Sequence, residues 1–179
     1  DGGGLGHVTR VQAVRRQLAL DDPVVVLTSS EPATDNRVTA GLHVVTIPFT
    51  RHEVEARRSW LARTVTELEP SLFVVDAFPA GLAGEIDAAT AGRSIPTIHL
   101  ARLLRWEAYR DLVPPRALRY GNTYVLEPLH PDHREFLVSV SDALTPLDLA
   151  DAAPTCDHPA PVVWPTAPGR PRWLVVHSG

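Results

Sequence analysis

The sequence predicts an α/β chain built on a doubly wound parallel sheet, and three observations carry that prediction. Short β-branched runs alternate with longer segments of helical period, the pattern of successive βαβ units. Those runs lack polar alternation, as strands covered on both faces do. A glycine-rich stretch, Gly2-Gly3-Gly4-Leu5-Gly6, passes directly into a helical segment, as a strand hands over to a helix in such folds.

From His7 to Leu18 the residues Val8, Val11, Val14 and Leu18 form one stripe, with Arg10, Arg15 and Arg16 expected in solvent. A glycine turn needs a strand to leave, so a first strand is expected before Asp1. Absence of methionine agrees that position 1 is not the start of translation. Val24 to Ser29 and His43 to Phe49 read as strands. His52 to Glu69 reads as a helix with Val54, Leu61, Val65 and Leu68 inward, ended by Pro70. Leu72 to Asp76 is the next strand. A helix is expected from Pro79 to Ala91, with Leu82, Ile86 and Ala89 inward and Gly92 just past its end. Thr97 to Leu100 follows as a strand. Beyond Ala101 come a helix around Arg105 to Asp111, the breaker Pro114-Pro115, a strand at Tyr124 to Leu126, a helix from Asp132 to Ser139 and a strand near Ala143 to Pro146.

Six prolines between Pro154 and Pro171 favour extended, semi-rigid backbone, and Trp173-Leu174-Val175-Val176 then reads as a fresh strand running into His177-Ser178-Gly179. The expected division is a sheet domain over 1–153, a linker over 154–171, and over 172–179 the first strand of a second α/β domain.

A length of 179 residues with 44% hydrophobic content supports one substantial core and not two full domains. Net charge of −4 and a pI near 6.0 argue against nucleic acid, which is met by a concentrated basic face. Cys156 is the one cysteine and cannot form an internal disulfide, no run approaches the ~20 apolar residues of a membrane span, and no secretion signal opens the chain. The expected location is cytoplasmic, with contact at a membrane surface left open. All the basic charge is arginine, which reads as coding bias.

Two loops could carry chemistry. In Gly2 to Arg10 the glycines let a ligand approach the backbone, and the helix beginning near His7 directs free N–H groups and its positive end to the same place. The lysine of a P-loop is absent, and the spacing matches no dinucleotide fingerprint. A histidine at a helix N-terminus is held toward the neutral form that accepts a proton. The second loop, Val74-Val75-Asp76-Ala77-Phe78, puts Asp76 where a strand ends. In a sheet of order 3-2-1-4-5 the missing first strand and the Leu72 strand are neighbours, and ligands bind at that switch point, outside the carboxyl ends of the strands. A histidine oriented by a carboxylate suits removal of a proton from a hydroxyl. Tight-turn and helix-cap roles are the structural alternatives for these residues.

The Gly-Gly-Leu-Gly-His stretch, the Val-Val-Asp-Ala-Phe stretch, the proline linker and the restart at Trp173 resemble, in the same order, the N-terminal half of GT-B glycosyltransferases, whose half-domain is Rossmann-like. The likeness extends to the bacterial enzymes that add N-acetylglucosamine to lipid-linked acceptors and to the UDP-sugar-dependent small-molecule transferases. It spans nearly the whole chain, but only the two loops match at the level of motifs. It implies an inverting transfer of a sugar from a nucleotide-sugar to an acceptor hydroxyl, with His7 as general base and Asp76 orienting it. It also implies acceptor contacts at Gly3, Gly4 and Gly6 and, where the chain stops at a turn resembling the second domain's first loop, donor contacts at Ser178 and Gly179; Thr9 and Phe78 beside the two loops, and His99 and Arg102 at a strand end, are expected to line the same acceptor cleft. No metal or cofactor is implied, the nucleotide-sugar being a co-substrate. The partners are then that donor and a small-molecule or lipid-linked acceptor. A nucleotide-sugar 2-epimerase and a non-catalytic sugar- or partner-binding module use the same architecture and stay open as alternatives.

His99 has a core role as its alternative. Arg51, His52, Arg57 and Arg58 could meet an anionic acceptor or headgroup, but a solvated helix face is expected. His130, Asp132 and His133 are metal-capable, yet they are expected in a surface turn.

Overall fold

The structure is a computed structural model that describes residues 6–17, 23–29, 39, 42–92, 95–149 and 173–177, with the backbone alone for 6–9, 16–17 and 173–177. Five β-strands follow the apolar runs: β1 (Val24–Thr28), β2 (His43–Thr46), β3 (Leu72–Ala77), β4 (Thr97–Ala101) and β5 (Asn122–Val125). Two more complete the described set, the three-residue β6 (Leu144–Pro146) and β7 (Trp173–His177). The helices are α1 (Gly6–Gln17), α2 (Val54–Leu68), the single turn α3 (Trp106–Tyr109) with a 3₁₀ turn at Arg110–Leu112, and α4 (Pro131–Val140).

Every described strand pair is parallel, in the order β2-β1-β7-β3-β4-β5-β6. The chain is therefore α/β with a parallel sheet, as the alternation of runs and helical segments predicted. Strand alternation sorts the core into two layers. On one face Val24, Val26, Val74 and Leu100 pack under Val11 and Val14 of α1. On the other, Val25, Leu27, Phe73 and Val75 pack against Leu61 and Val65 of α2 and Leu137 and Val140 of α4. Helices thus cover both faces, which explains the unbroken apolar character of β1 and β3.

Successive strands step outward in opposite directions from the middle of the sheet: β1 to β2 on one side, β3 to β6 on the other. The position between β1 and β3 is the switch point, where loops leaving the carboxyl ends diverge and open a crevice. The sequence reserved that position for a strand before Asp1. In the structure β7 fills it, with Val175 in register with both Val26 and Val74. The expected opener of a further domain thus lies within this sheet. Residues β1 and β3 turn toward each other are unpaired without an intervening strand, and a parallel apolar strand satisfies both ladders at once.

The segment expected as a helix over Pro79 to Ala91 is instead a series of turns. Gly81 and Gly84 take φ values of 80° and 81°, where a continuing helix is impossible. The side chain of Glu85 is buried and accepts the Ala83 N–H at 2.7 Å, stitching the loop internally. Its Oε1 takes two bonds from Arg57, at 3.0 Å from Nε and 2.7 Å from Nη2, while Nη1 donates to the Phe49 carbonyl. Arg57 is fully buried, so the solvated-face expectation fails for it. Its position explains why: 57, 61 and 65 form one i, i+4 row, and Arg57 occupies a place in the apolar stripe of α2. Arg58 behaves closer to expectation, bridging Glu55, Asp87 and the Gly84 carbonyl at the surface. The proline stretch 154–171 and Cys156 lie outside the described residues.

Candidate functional site at the carboxyl edge of the sheet

Asp76 is the penultimate residue of β3, on the edge where the switch-point crevice opens, and its side chain has no solvent exposure. A buried carboxylate needs a partner. Arg10 supplies one, with Nη1 at 3.0 Å from both carboxylate oxygens. Arg10 therefore does not point to solvent as its place outside the Val11/Val14 stripe suggested; its side chain is 11% exposed and roofs Asp76. This contact brings the first half of α1 over the end of β3. His7 stands one turn before Arg10, in the first turn of the helix, and positions three apart share a helix face. The side chain of His7 lies outside the described residues, as do those of Thr9 and the residues Gly3, Gly4, Ser178 and Gly179; Gly6 is the first residue of α1.

Immediately after Asp76 the backbone is strained. Ala77 has φ 65°, and the Phe78 N–H donates to the Asp76 carbonyl at 2.8 Å, closing a γ-turn. A non-glycine residue there costs on the order of 1–3 kcal/mol and persists only where surrounding structure enforces it, a condition that gathers at functional sites. The turn sends Phe78 away from the edge: its ring packs on Tyr109 at 5.4 Å, within a cluster that includes Ala80 and Trp106.

Arg102 leaves the end of β4 on the face shared by Asp76 and Leu100. It bonds Glu127 through Nε and Nη2, both at 3.2 Å, while the second oxygen of Glu127 accepts the Leu103 N–H at 3.0 Å. Partial burial pushes the Glu127 carboxyl up, but the Leu103 N–H, Arg102 and the more distant Arg10 outweigh it and hold it below the usual carboxylate range. Two ion pairs, Asp76–Arg10 and Glu127–Arg102, therefore stand along the carboxyl edge, with Arg10 also favouring the charged form of Glu127 from a distance. Beside it lies a cavity of about 410 Å³ whose lining includes Leu103, Leu104, Trp106, Leu129 and His130.

His99 does not join this edge. In β4 it sits opposite Val75, and alternation turns it to the other face, fully buried, with Nδ1 2.9 Å from the Val75 carbonyl and its ring 5.2 Å from Tyr120. Burial lowers its pKa to about 4, against the raising effect of the Val75 carbonyl. The core alternative is the one the structure adopts. In the His130–His133 segment the expected surface turn holds for His130 and Asp132, where His130 caps α4 through Nδ1. It fails for His133, which is buried against Trp106. Among the described residues no group of three or more His, Cys, Asp or Glu is arranged to hold a metal ion, and no helix is long and apolar enough to cross a membrane.

Sequence reasoning missed Arg10 and Glu127. Arg10 had a signal, its i, i+3 relation to His7 on a helix meeting the switch point. Glu127 had a weaker one: it follows the carboxyl end of β5 as Arg102 follows that of β4. No family model, curated protein or solved structure matches this chain.

Proposed function

We propose that this chain is the acceptor-binding half of a GT-B-type, nucleotide-sugar-dependent glycosyltransferase that works with inversion. The observation that carries the reading is Asp76: a fully buried carboxylate at the switch point, ion-paired to the helix that follows the glycine-rich loop and set beside a strained γ-turn. A carboxylate has about four lone-pair sites and can accept from more than one donor. In the proposed mechanism His7, at the start of α1, takes the proton of an acceptor hydroxyl, and Asp76 fixes its orientation and stabilises the imidazolium. Arg10 is then a positioning residue that holds the carboxylate in place. The deprotonated oxygen attacks the anomeric carbon of the donor sugar, and the nucleoside diphosphate leaves with the electron pair of the broken glycosidic bond.

The glycine-rich loop at Gly3, Gly4 and Gly6 would face an anionic or polar part of the acceptor, and Arg102 would border the same cleft. Because the stretch 154–171 is followed by β7 in the middle of this sheet, neither it nor Ser178 and Gly179 is assigned to a donor-binding half in this reading. The cytoplasm, where nucleotide-sugars are held, is the proposed location.

The test supplies the full-length protein with radiolabelled nucleotide-sugars, with and without a panel of hydroxyl acceptors. Sugar transferred to an acceptor supports the proposal. Epimerised donor formed without any acceptor would replace it with the epimerase reading, and donor recovered intact under all conditions would point to a binding module.

A further inference from the structure

Beneath the cavity wall lies a group of side chains that the proposed chemistry does not use. His133 of α4 has no solvent exposure, and its ring lies flat on Trp106, with centroids 4.7 Å apart and planes inclined by 13°. Neither of its ring nitrogens has a hydrogen-bond partner. His99 is buried beneath, and since the Val75 carbonyl can only accept, its Nδ1 carries the proton and donates. That leaves Nε2 as a bare lone pair, also without a partner. Three of the four buried side-chain polar atoms lacking partners among the described residues therefore belong to these two rings, the fourth being Arg58 Nε. Buried polar atoms are normally satisfied, so a concentration of exceptions calls for a physical explanation.

We propose that His99 and His133 form an acid-operated latch whose protonation frees the Trp106 segment, and with it the wall of the carboxyl-edge cavity, while the sheet remains folded.

Protonation turns each bare lone pair into a charged N–H, and among the described residues the surroundings supply no free acceptor. From β3, Asp76 favours charge on His99 only at a distance, from the opposite face, and is committed to Arg10. The hydroxyl of Tyr120, beside β5, donates to the Pro79 carbonyl, and that of Tyr109, on α3, donates to the Gly81 carbonyl. Glu85, in the loop after β3, is bound by Arg57. Within α4 and its cap, His130 opposes charge on His133, and the two buried histidines oppose each other. Phe136 and Trp106 contribute aromatic faces. A π-face attracts a cation but does not replace lost hydration in full.

Water can reach the rings by two routes. Opening the sheet would break the β4 ladders to both β3 and β5. Lifting Trp106 breaks fewer hydrogen bonds: α3 is a single turn with no side-chain cap, anchored by the Tyr109 hydroxyl between the Ala80 N–H and the Gly81 carbonyl, and it lies between the exposed Leu103 and Leu112. Local opening draws on the least stable parts of a fold. Because burial holds both rings near pKa 4, opening becomes more favourable as pH drops from about 6.5 toward 4.

The test titrates the intact chain from pH 7.5 to 4, following histidine ring resonances, amide exchange over residues 103–112 and far-UV circular dichroism. The expected result is a reversible loss of at least about tenfold in the protection of 103–112, each rate taken relative to the intrinsic exchange rate at that pH, with an unchanged far-UV spectrum. In His133→Phe, which keeps the ring stack and deletes both nitrogens, that loss of protection should disappear or be displaced to lower pH, and the same holds for the His99→Phe, His133→Phe double variant. A transition of the same midpoint and amplitude in both variants would overturn the proposal. Should the variants not fold, the wild-type titration decides: loss of far-UV signal together with exchange, or histidines titrating near 6.5 while 103–112 stays protected, would equally overturn it.

Discussion

Replacing Arg57 by methionine should be among the most damaging single changes in this chain, for a reason that can be worked from its contacts. The guanidinium makes two bonds to Glu85 Oε1, at 3.0 and 2.7 Å, and one to the Phe49 carbonyl at 3.0 Å, and neither side chain of the ion pair reaches solvent. Methionine keeps most of the volume and removes all three donors. Glu85 would be left with the Ala83 N–H at 2.7 Å as its remaining hydrogen bond, and the Phe49 carbonyl would lose a donor. Breaking a buried pair from one side costs about 3–5 kcal/mol, because an uncompensated charge remains. Set against the roughly 5–15 kcal/mol that holds a domain together, that is a large share. Urea unfolding followed by circular dichroism measures it directly. A double variant, Arg57→Met with Glu85→Gln, removes the stranded charge while keeping the Ala83 bond, and should recover more than half of the loss. A single-variant cost below about 1 kcal/mol, or a double variant no better than the single, would refute the claim that the pair is held in low dielectric.

Other expectations follow from the same structure. Ala77→Gly should raise stability by about 0.5–1 kcal/mol in the same urea assay, since glycine takes φ 65° without steric cost, whereas glycine in an unstrained strand would lower it. Gly84→Ala should destabilise by more than about 1 kcal/mol, because φ is 81° and the added methyl would run into the Leu112 carbonyl; a neutral result would contradict the turn as described. Leu61→Ala should cost about 2–5 kcal/mol, as the residue is completely buried between α2 and the sheet. Stability should also depend on acid in a defined window. Both buried histidines have pKa values lowered to about 4, so the unfolded chain binds more protons between 6.5 and 4, and the stability they confer is complete above 6.5 and lost as pH falls toward 4. Replacing both by phenylalanine should flatten that slope in urea titrations at pH 7 and pH 4.5.

Much of the fold was legible because burial on both faces leaves a plain mark. The runs at Val24, Leu72 and Thr97 needed no partner to be recognised, and those strands lie within a residue of the expected limits, whereas the strand expected from His43 to Phe49 ends at Thr46. The errors arise where a long-range partner decides local structure. The segment after β3 carries Leu82, Ile86 and Ala89 at helical spacing, yet two glycines at positive φ and the grip of Arg57 on Glu85 hold it in turns. Period alone could not reveal an arginine reaching from another element. Arg10 was misplaced for a related reason: helical spacing puts it off the Val11/Val14 stripe, but the carboxylate that draws it in lies 66 residues away. His99 was open to two readings because its sequence position fits both a strand end and a core, and only the pairing of β4 with β3 fixes its face. The position of Asp76 at the end of β3 was readable from the Val-Val-Asp pattern; its ion pair and the γ-turn beside it were not.

In the proposed mechanism Asp76 and the residue it orients at the start of α1 activate an acceptor hydroxyl. The most direct measurement compares sugar transfer and donor binding in full-length protein carrying His7→Ala or Asp76→Asn. Loss of a general base, or of the group orienting it, should lower kcat by about 10²–10⁴-fold, with the donor Kd changed by less than about twofold. Turnover close to wild type in His7→Ala, in a protein that still binds donor, would contradict it.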